Sequence, residues 1–322
     1  MLLNMKCPPI TKVLIFVCYL LSSLAEANAI SNCFSFIPYA KNDSFIQLPA
    51  NKNFCFHYST KKIHFSTDQF GGRKVGSDTD GDEIIAFGES QLLGLDFSDT
   101  ESDKENATKH DLSVLFPSSR ITIYAAPNNG PLQAIEQIRK IYRLRPFTGQ
   151  KIMIGFNYGT DIFRIDPNWK PEKFVPLDMS QLDRSFYIPG YHDIALFIAR
   201  LKGVKFGSTV SNSDTVREYY KNLRQQQRND NIQGWLLNLQ KSEIKNAGEV
   251  SLILYPPYWY IGASQKTKQT ISRDYVSLAC KAHLSGIFNT IYVSALPDEN
   301  TIFAEDNRHF LSGEIKFHQY KC

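Results

Sequence analysis

Several familiar signatures are missing from this 322-residue chain, and each absence removes a class of function. There is no G-x-x-x-x-G-K-[S/T] stretch and no G-x-G-x-x-G, so no tool for phosphate or dinucleotide chemistry is visible. No cysteine pair has C-x-x-C spacing, which argues against a zinc site, and no cofactor is expected. Beyond the N-terminus no run is long and apolar enough to cross a bilayer. Charge is not blocked either: the net +4 is scattered, so a nucleic-acid partner is not expected. The densest basic stretch, Lys221 to Arg228 (KNLRQQQR), reads as a solvated helix face. Asp78-Thr79-Asp80-Gly81-Asp82-Glu83 places its glycine fourth, where a helix–loop–helix calcium loop needs it sixth, so it reads as an acidic turn. Internal repeats and low-complexity tracts are absent.

What is present begins with an address. Lys6 and Lys12 precede the apolar run Val13 to Leu24, and Ala27-Asn28-Ala29 supplies a small-x-small site. That order is a secretory signal over residues 1–29, short for a stable span and compatible with cleavage or retention as an anchor. The remaining chain is expected outside the cytoplasm, periplasmic or secreted. Four cysteines then remain, Cys33, Cys55, Cys280 and Cys322, which permit two disulfides in three pairings. Cys33–Cys55 and Cys280–Cys322 require the least chain travel. The 43% apolar content is ample for a real core.

From residue 83 the pattern becomes regular. Apolar strands are expected at Glu83–Phe87, Arg120–Ala125, Lys151–Phe156, Val250–Tyr255 and Ile287–Val293. Helices are expected after Ser90, from Pro131 (a first-turn proline after Asn129-Gly130), over Tyr191–Val204, between about 213 and 241, and over about 267–284. Strand–helix alternation implies an α/β fold whose parallel sheet is covered on both faces. The segment 30–75 reads as an N-terminal extension, a decoration on a single domain spanning 76–322. Residues 160–248 read as a largely helical insertion.

Ligands of an open parallel sheet sit beyond the C-terminal ends of its strands. Those ends carry Gly88-Glu89-Ser90, Pro127-Asn128-Asn129-Gly130 and Gly155-Phe156-Asn157-Tyr158, and Asp306-Asn307-Arg308-His309 follows the last strand. A hydroxyl, glycine N–H, carboxamide and Asp–His pair are the parts of acyl transfer. Taken singly, Ser90 is a helix cap, Gly130 a turn residue, Asn157 a loop cap and His309 a surface histidine; their joint order favours a site. His283 is a rival base, but it falls within a helix on another element.

This set resembles the SGNH (GDSL-type) hydrolase superfamily, with Ser90, Gly130, Asn157 and His309 in that family's order over about residues 83–315. The resemblance implies a flavodoxin-like three-layer α/β/α fold and serine attack on esters. It implies Ser90 as nucleophile, His309 as base, Asp306 as its orienter, and an oxyanion hole from Ser90, Gly130 and Asn157. Two departures stand out. Glu89 replaces the aspartate usual before the serine, and Tyr158 replaces the acid usual after the asparagine. Tyr158 therefore joins Tyr258 and Trp259, in the aromatic cluster Tyr255–Tyr260, as expected substrate-binding residues. The reading is an exported esterase acting on O-acyl, chiefly acetyl, groups of a glycan. The alternatives are an O-acyltransferase on an envelope polysaccharide, a lipase, or a catalytically silent glycan-binding module.

Overall fold

Every residue from Ile84 to Phe87 is apolar, so a strand there must be covered on both faces. In the computed structural model this strand, β6 (Glu83–Gly88), lies inside a seven-stranded sheet. The structure describes residues 40–41, 45–51, 53–58, 61–76, 81–94, 110–126, 129–166, 223–298, 300–301, 310 and 315–322. Ahead of β6 come β1 (Ala40–Lys41), β2 (Ile46–Gln47), β3 (Asn53–Tyr58), β4 (Lys61–Ser66) and β5 (Arg73–Gly76). After it come α1 (Ser90–Leu93), α2 (Asp111–Leu115), β7 (Arg120–Ala125), α3 (Pro131–Leu144), β8 (Lys151–Asn157) and α4 (Tyr158–Arg164). Next are α5 (Gln225–Gln240), β9 (Glu249–Tyr255), α6 (Gln265–Leu284), β10 (Thr290–Ser294) and β11 (Phe317–Gln319).

β6 pairs in parallel with β7 on one side and β8 on the other, and β9 and β10 continue the parallel set beyond β8. Numbered along the chain, these five strands run 2-1-3-4-5 across the sheet. β5 and β11 close the two edges antiparallel. The chain leaves β6 in one direction to reach β7, then passes back beyond β6 to β8. The crevice between the C-terminal ends of β6 and β8 is therefore the topological switch point, where such sheets bind ligands.

Alternation along β6 divides the core in two. Ile85 and Phe87 join the side that packs against α3, α5 and α6, where Ile138, Trp235 and Leu278 are buried. Ile84 and Ala86 face the other side, with Leu92 and Leu112 from the short helices. That second layer is completed by Leu48, Ile63, Phe65 and Val75. The described residues of the segment before residue 76 thus contribute to the core. Its hairpin β3–β4 and its neighbours supply core, and β5 is an edge strand of the main sheet, so the expected boundary at 75 runs along that strand's end. Together the layers make a three-layer α/β arrangement.

α3 starts as its sequence dictates. Pro131 occupies the first turn, and Gly130 N–H donates to Gln133 Oε1 at 3.0 Å. On the same side, Arg228 of α5 is gripped by Asp274 of α6, with Nε and Nη2 both donating to Oδ2 at 2.9 and 2.6 Å. Cys280 and Cys322 form a disulfide that ties α6 to the chain end. Among the described residues no helix is long and apolar enough to cross a membrane. The expected signal at 1–29, the helix at Tyr191–Val204 and the Cys33–Cys55 pair lie outside what the structure describes.

Candidate active site

Two glycines allow α1 to settle on the sheet. A Cβ on Gly88 would sit 2.8 Å from Leu92 Cδ2, and one on Gly155 would sit 3.0 Å from the same atom. Leu92 therefore packs over both strands at the switch point, and Ser90, two residues earlier, is carried to the same crevice. The helix is only four residues long, and Gly94 ends it in the left-handed conformation at φ 65°.

Arg73 of β5 fixes the far end of this short helix. Its Nη1 donates to the Leu93 and Gly94 carbonyls at 2.6 Å each, and its guanidinium lies 3.6 Å above the Phe65 ring. His110 adds a second tie. Nε2–H donates to Leu92 O at 3.0 Å, and Nδ1 accepts from Leu112 N–H at 3.1 Å. Burial, aided by Arg73's charge, holds His110 neutral, with its pKa lowered to about 3. With both ring nitrogens engaged, it braces the helix and takes no part as a base.

Glu89 is the centre of the site. It caps α1, and its buried carboxylate gathers groups from three elements. Oε1 accepts from Gln91 N–H at 2.9 Å and from Asn157 Nδ2 at 3.2 Å. Oε2 accepts from Ser90 Oγ at 2.7 Å and lies 3.8 Å from Arg164 Nη1. The Ser90 hydroxyl and Asn157 carboxamide, 68 residues apart from Glu89 to Asn157 along the chain, thus meet on one carboxylate. The sequence gives Glu89 only as a variant of an expected aspartate; its bridging role depends on contacts across two strands.

Asn157 is set by α4. Its Oδ1 accepts from Gly159 N–H at 3.0 Å, capping the helix, which turns Nδ2 toward Glu89. The acid expected at position 158 is supplied one turn later: Asp161 Oδ2 accepts from Asn157 N–H at 2.8 Å. Asp161 Oδ1 in turn lies 3.2 Å from Arg164 Nη1. Burial, which outweighs Arg164's opposing pull and is reinforced by Glu89's charge, pushes the Asp161 carboxyl up to about 8. An acid four residues after a capping asparagine was the available signal for this brace.

Gly130 reaches the same cluster from β7. Its N–H is already given to Gln133, so it is not poised toward an oxyanion as the chain stands. Its Cα faces Arg164: a Cβ there would lie 2.7 Å from both Arg164 Cβ and Cδ. Tyr255, at the end of β9, closes another side. Burial and the Asp111 carboxylate keep its phenol protonated, with Glu89 adding to the effect.

The expected aromatic contacts fall differently. Tyr158 is 0% exposed and packs edge-on against Tyr275 with ring centroids 5.6 Å apart. Trp259 is 2% exposed and donates Nε1–H to Gly159 O at 3.1 Å. Both rings are core, held there by the apolar face of α4 and the turn after β9; Tyr258 alone of the three is half-buried. His283 is exposed in the last turn of α6, and Asn289, in the loop after that helix, accepts from Val250 N–H at the start of β9. It therefore stands at the edge opposite Ser90.

Asp306 and His309 lie outside the described residues. Phe310, which follows His309 in sequence, is described. Its N–H donates to Gln91 Oε1 at 2.9 Å, and its carbonyl accepts from Gln91 Nε2 at 3.1 Å. The residue next to Ser90 thus clamps the main chain of the residue next to His309. Among the described residues no group of three or more His, Cys, Asp or Glu is placed to hold a metal ion.

No family model matches the chain, and comparison with curated proteins and with solved structures gives no significant match.

Proposed function

We propose that this chain is an exported serine ester hydrolase of the SGNH type, removing O-acyl groups, chiefly acetyl, from a glycan. The observation that carries the reading is the meeting of Ser90 and Asn157 on Glu89 at the switch point. The 2-1-3-4-5 strand order supports a flavodoxin-like fold, and the Gln91–Phe310 clamp supports His309 as the partner of Ser90. The N-terminal signal and the Cys280–Cys322 bond support export.

In this mechanism the Ser90 hydroxyl turns from Glu89 Oε2 and its Oγ attacks the acyl carbonyl carbon as His309 takes its proton, with Asp306 holding the imidazole in the required tautomer. The Ser90 N–H and the second Nδ2 hydrogen of Asn157 face the developing oxyanion; each such donor is worth about 3 kcal/mol. Gly130 N–H joins them only if Gln133 releases it. The C–O bond to the sugar breaks, His309 returns the proton to the sugar oxygen, and water then hydrolyses the acyl-enzyme. An acceptor sugar hydroxyl in place of water turns the same chemistry into acyl transfer.

The test is acetate release from an O-acetylated polysaccharide by the mature protein, with Ser90→Ala and His309→Ala beside it. Release by the wild type and its loss in both variants is expected. Acetyl transfer to an added glycan without free acetate moves the reaction to a transferase. Preference for long-chain esters overturns the glycan reading, and release undiminished in Ser90→Ala overturns the nucleophile.

A further inference from the structure

Glu89, Asp161 and Arg164 form a buried cluster of two acidic side chains and one arginine, 6%, 1% and 11% exposed. Each acid holds a different part of the candidate site. Glu89 accepts from Ser90 Oγ and Asn157 Nδ2, and Asp161 accepts from Asn157 N–H. Arg164 is within ion-pair distance of both, 3.2 Å from Asp161 Oδ1 and 3.8 Å from Glu89 Oε2. Removing one partner from a buried ion pair leaves uncompensated charge, so acidic side chains so placed must rearrange when their cation is lost.

The stem of the same arginine fills the space above Gly130. Gly130 has φ −88° and ψ −174°, an extended conformation that any residue adopts. Backbone freedom therefore does not demand glycine there. The three nearest heavy atoms that a Cβ there would meet all belong to Arg164, its Cβ, Cδ and Cγ at 2.7, 2.7 and 3.2 Å.

We infer that Arg164 is a positioning residue for Ser90. It holds Glu89 by charge and Asp161 by a hydrogen bond from Nη1, and position 130 is glycine to admit its side chain. One side chain thereby ties together the strand ends carrying Ser90, Gly130 and Asn157. This rests on the reading of Ser90 as nucleophile, and assigns Gly130 a steric role distinct from an oxyanion donor.

The experiment measures the rate of Ser90 labelling by a fluorophosphonate in the full mature protein, with melting temperature followed in every variant. Arg164→Lys keeps charge and most of the stem and is expected to label within about tenfold of wild type. Arg164→Met keeps bulk without charge and is expected to lose about 100-fold, the scale of a roughly 1 Å misplacement. Gly130→Ala is expected to fall by a comparable factor alone, yet to cost less than about threefold when added to Arg164→Gly, because only glycine at 164 removes the Cβ as well as the stem it would meet. Wild-type rates in Arg164→Met overturn the inference while leaving the nucleophile intact. So does an equal Gly130→Ala penalty in both backgrounds. If Arg164→Met does not fold, the Arg164→Lys rate decides: a loss as large as about 100-fold means that charge and bulk do not suffice. A wild type that does not label removes the nucleophile reading itself, and this inference with it.

Discussion

At the scale of single residues, the site is a problem of buried charge. Asp161 is 1% exposed, and its carboxyl is pushed from 3.8 up to about 8 because burial outweighs Arg164. An acid whose folded value stands above its unfolded one favours the folded state most below the unfolded value. That advantage drains away as pH rises toward the folded value. Between about pH 5 and about pH 8.5 the wild type should therefore lose melting temperature, and Asp161→Asn, which keeps an acceptor for Asn157 N–H, should lose less. Calorimetry at the two pH values checks this; an equal fall in both proteins would place the titrating group elsewhere. Glu89 shows the same economy of function. It serves as cap, serine partner and asparagine partner at once.

At the scale of elements, α5 and α6 are tied by the buried pair Arg228–Asp274, with side chains 7% and 9% exposed. Arg228→Ala removes the buried partner of Asp274, whose Oδ1 keeps only the Nε of the exposed Arg273 at 3.3 Å among the bonds described, and should cost up to about 3–5 kcal/mol, read as a lower urea midpoint with an unchanged slope. A shift under about 1 kcal/mol would mean that water reaches Asp274 and replaces the arginine. Elements with strong local pattern were readable from the sequence. Arg120–Ala125 alternates cleanly and is a strand at those bounds, and α3 begins at its proline. β5 was not readable: Arg-Lys-Val-Gly has no apolar period, and its pairing with β7 is a tertiary choice. Ser90, Gly130 and Asn157 stood out because each follows a strand. Asp161 and Arg164 did not, since their meaning comes from Glu89 and Gly130, both distant in sequence. The aromatic residues misled for a related reason: Tyr158 and Trp259 follow strands too, but the layer above them buries their rings.

At the scale of the whole molecule, the two faces of the sheet are covered by different means. Helices α3, α5 and α6 cover one, while short helices and the N-terminal strands cover the other. Ser90 therefore depends on Arg73, a residue from the segment that looked peripheral. The chain end is secured separately, by a disulfide across 42 residues. Closing a loop of that length is worth about 4 kcal/mol on chain entropy. Cys280→Ser should lower the denaturant midpoint accordingly, and a midpoint unchanged from the oxidised wild type would show that the bond adds no stability.

The central claim is that Ser90 is a nucleophile served from the C-terminal loop. It is tested most directly by treating the mature protein with a fluorophosphonate and mapping the adduct by peptide mass spectrometry. The account predicts one adduct, on Ser90, absent in Ser90→Ala and formed far more slowly in His309→Ala. An unlabelled wild type, or an adduct that persists in Ser90→Ala, would contradict it.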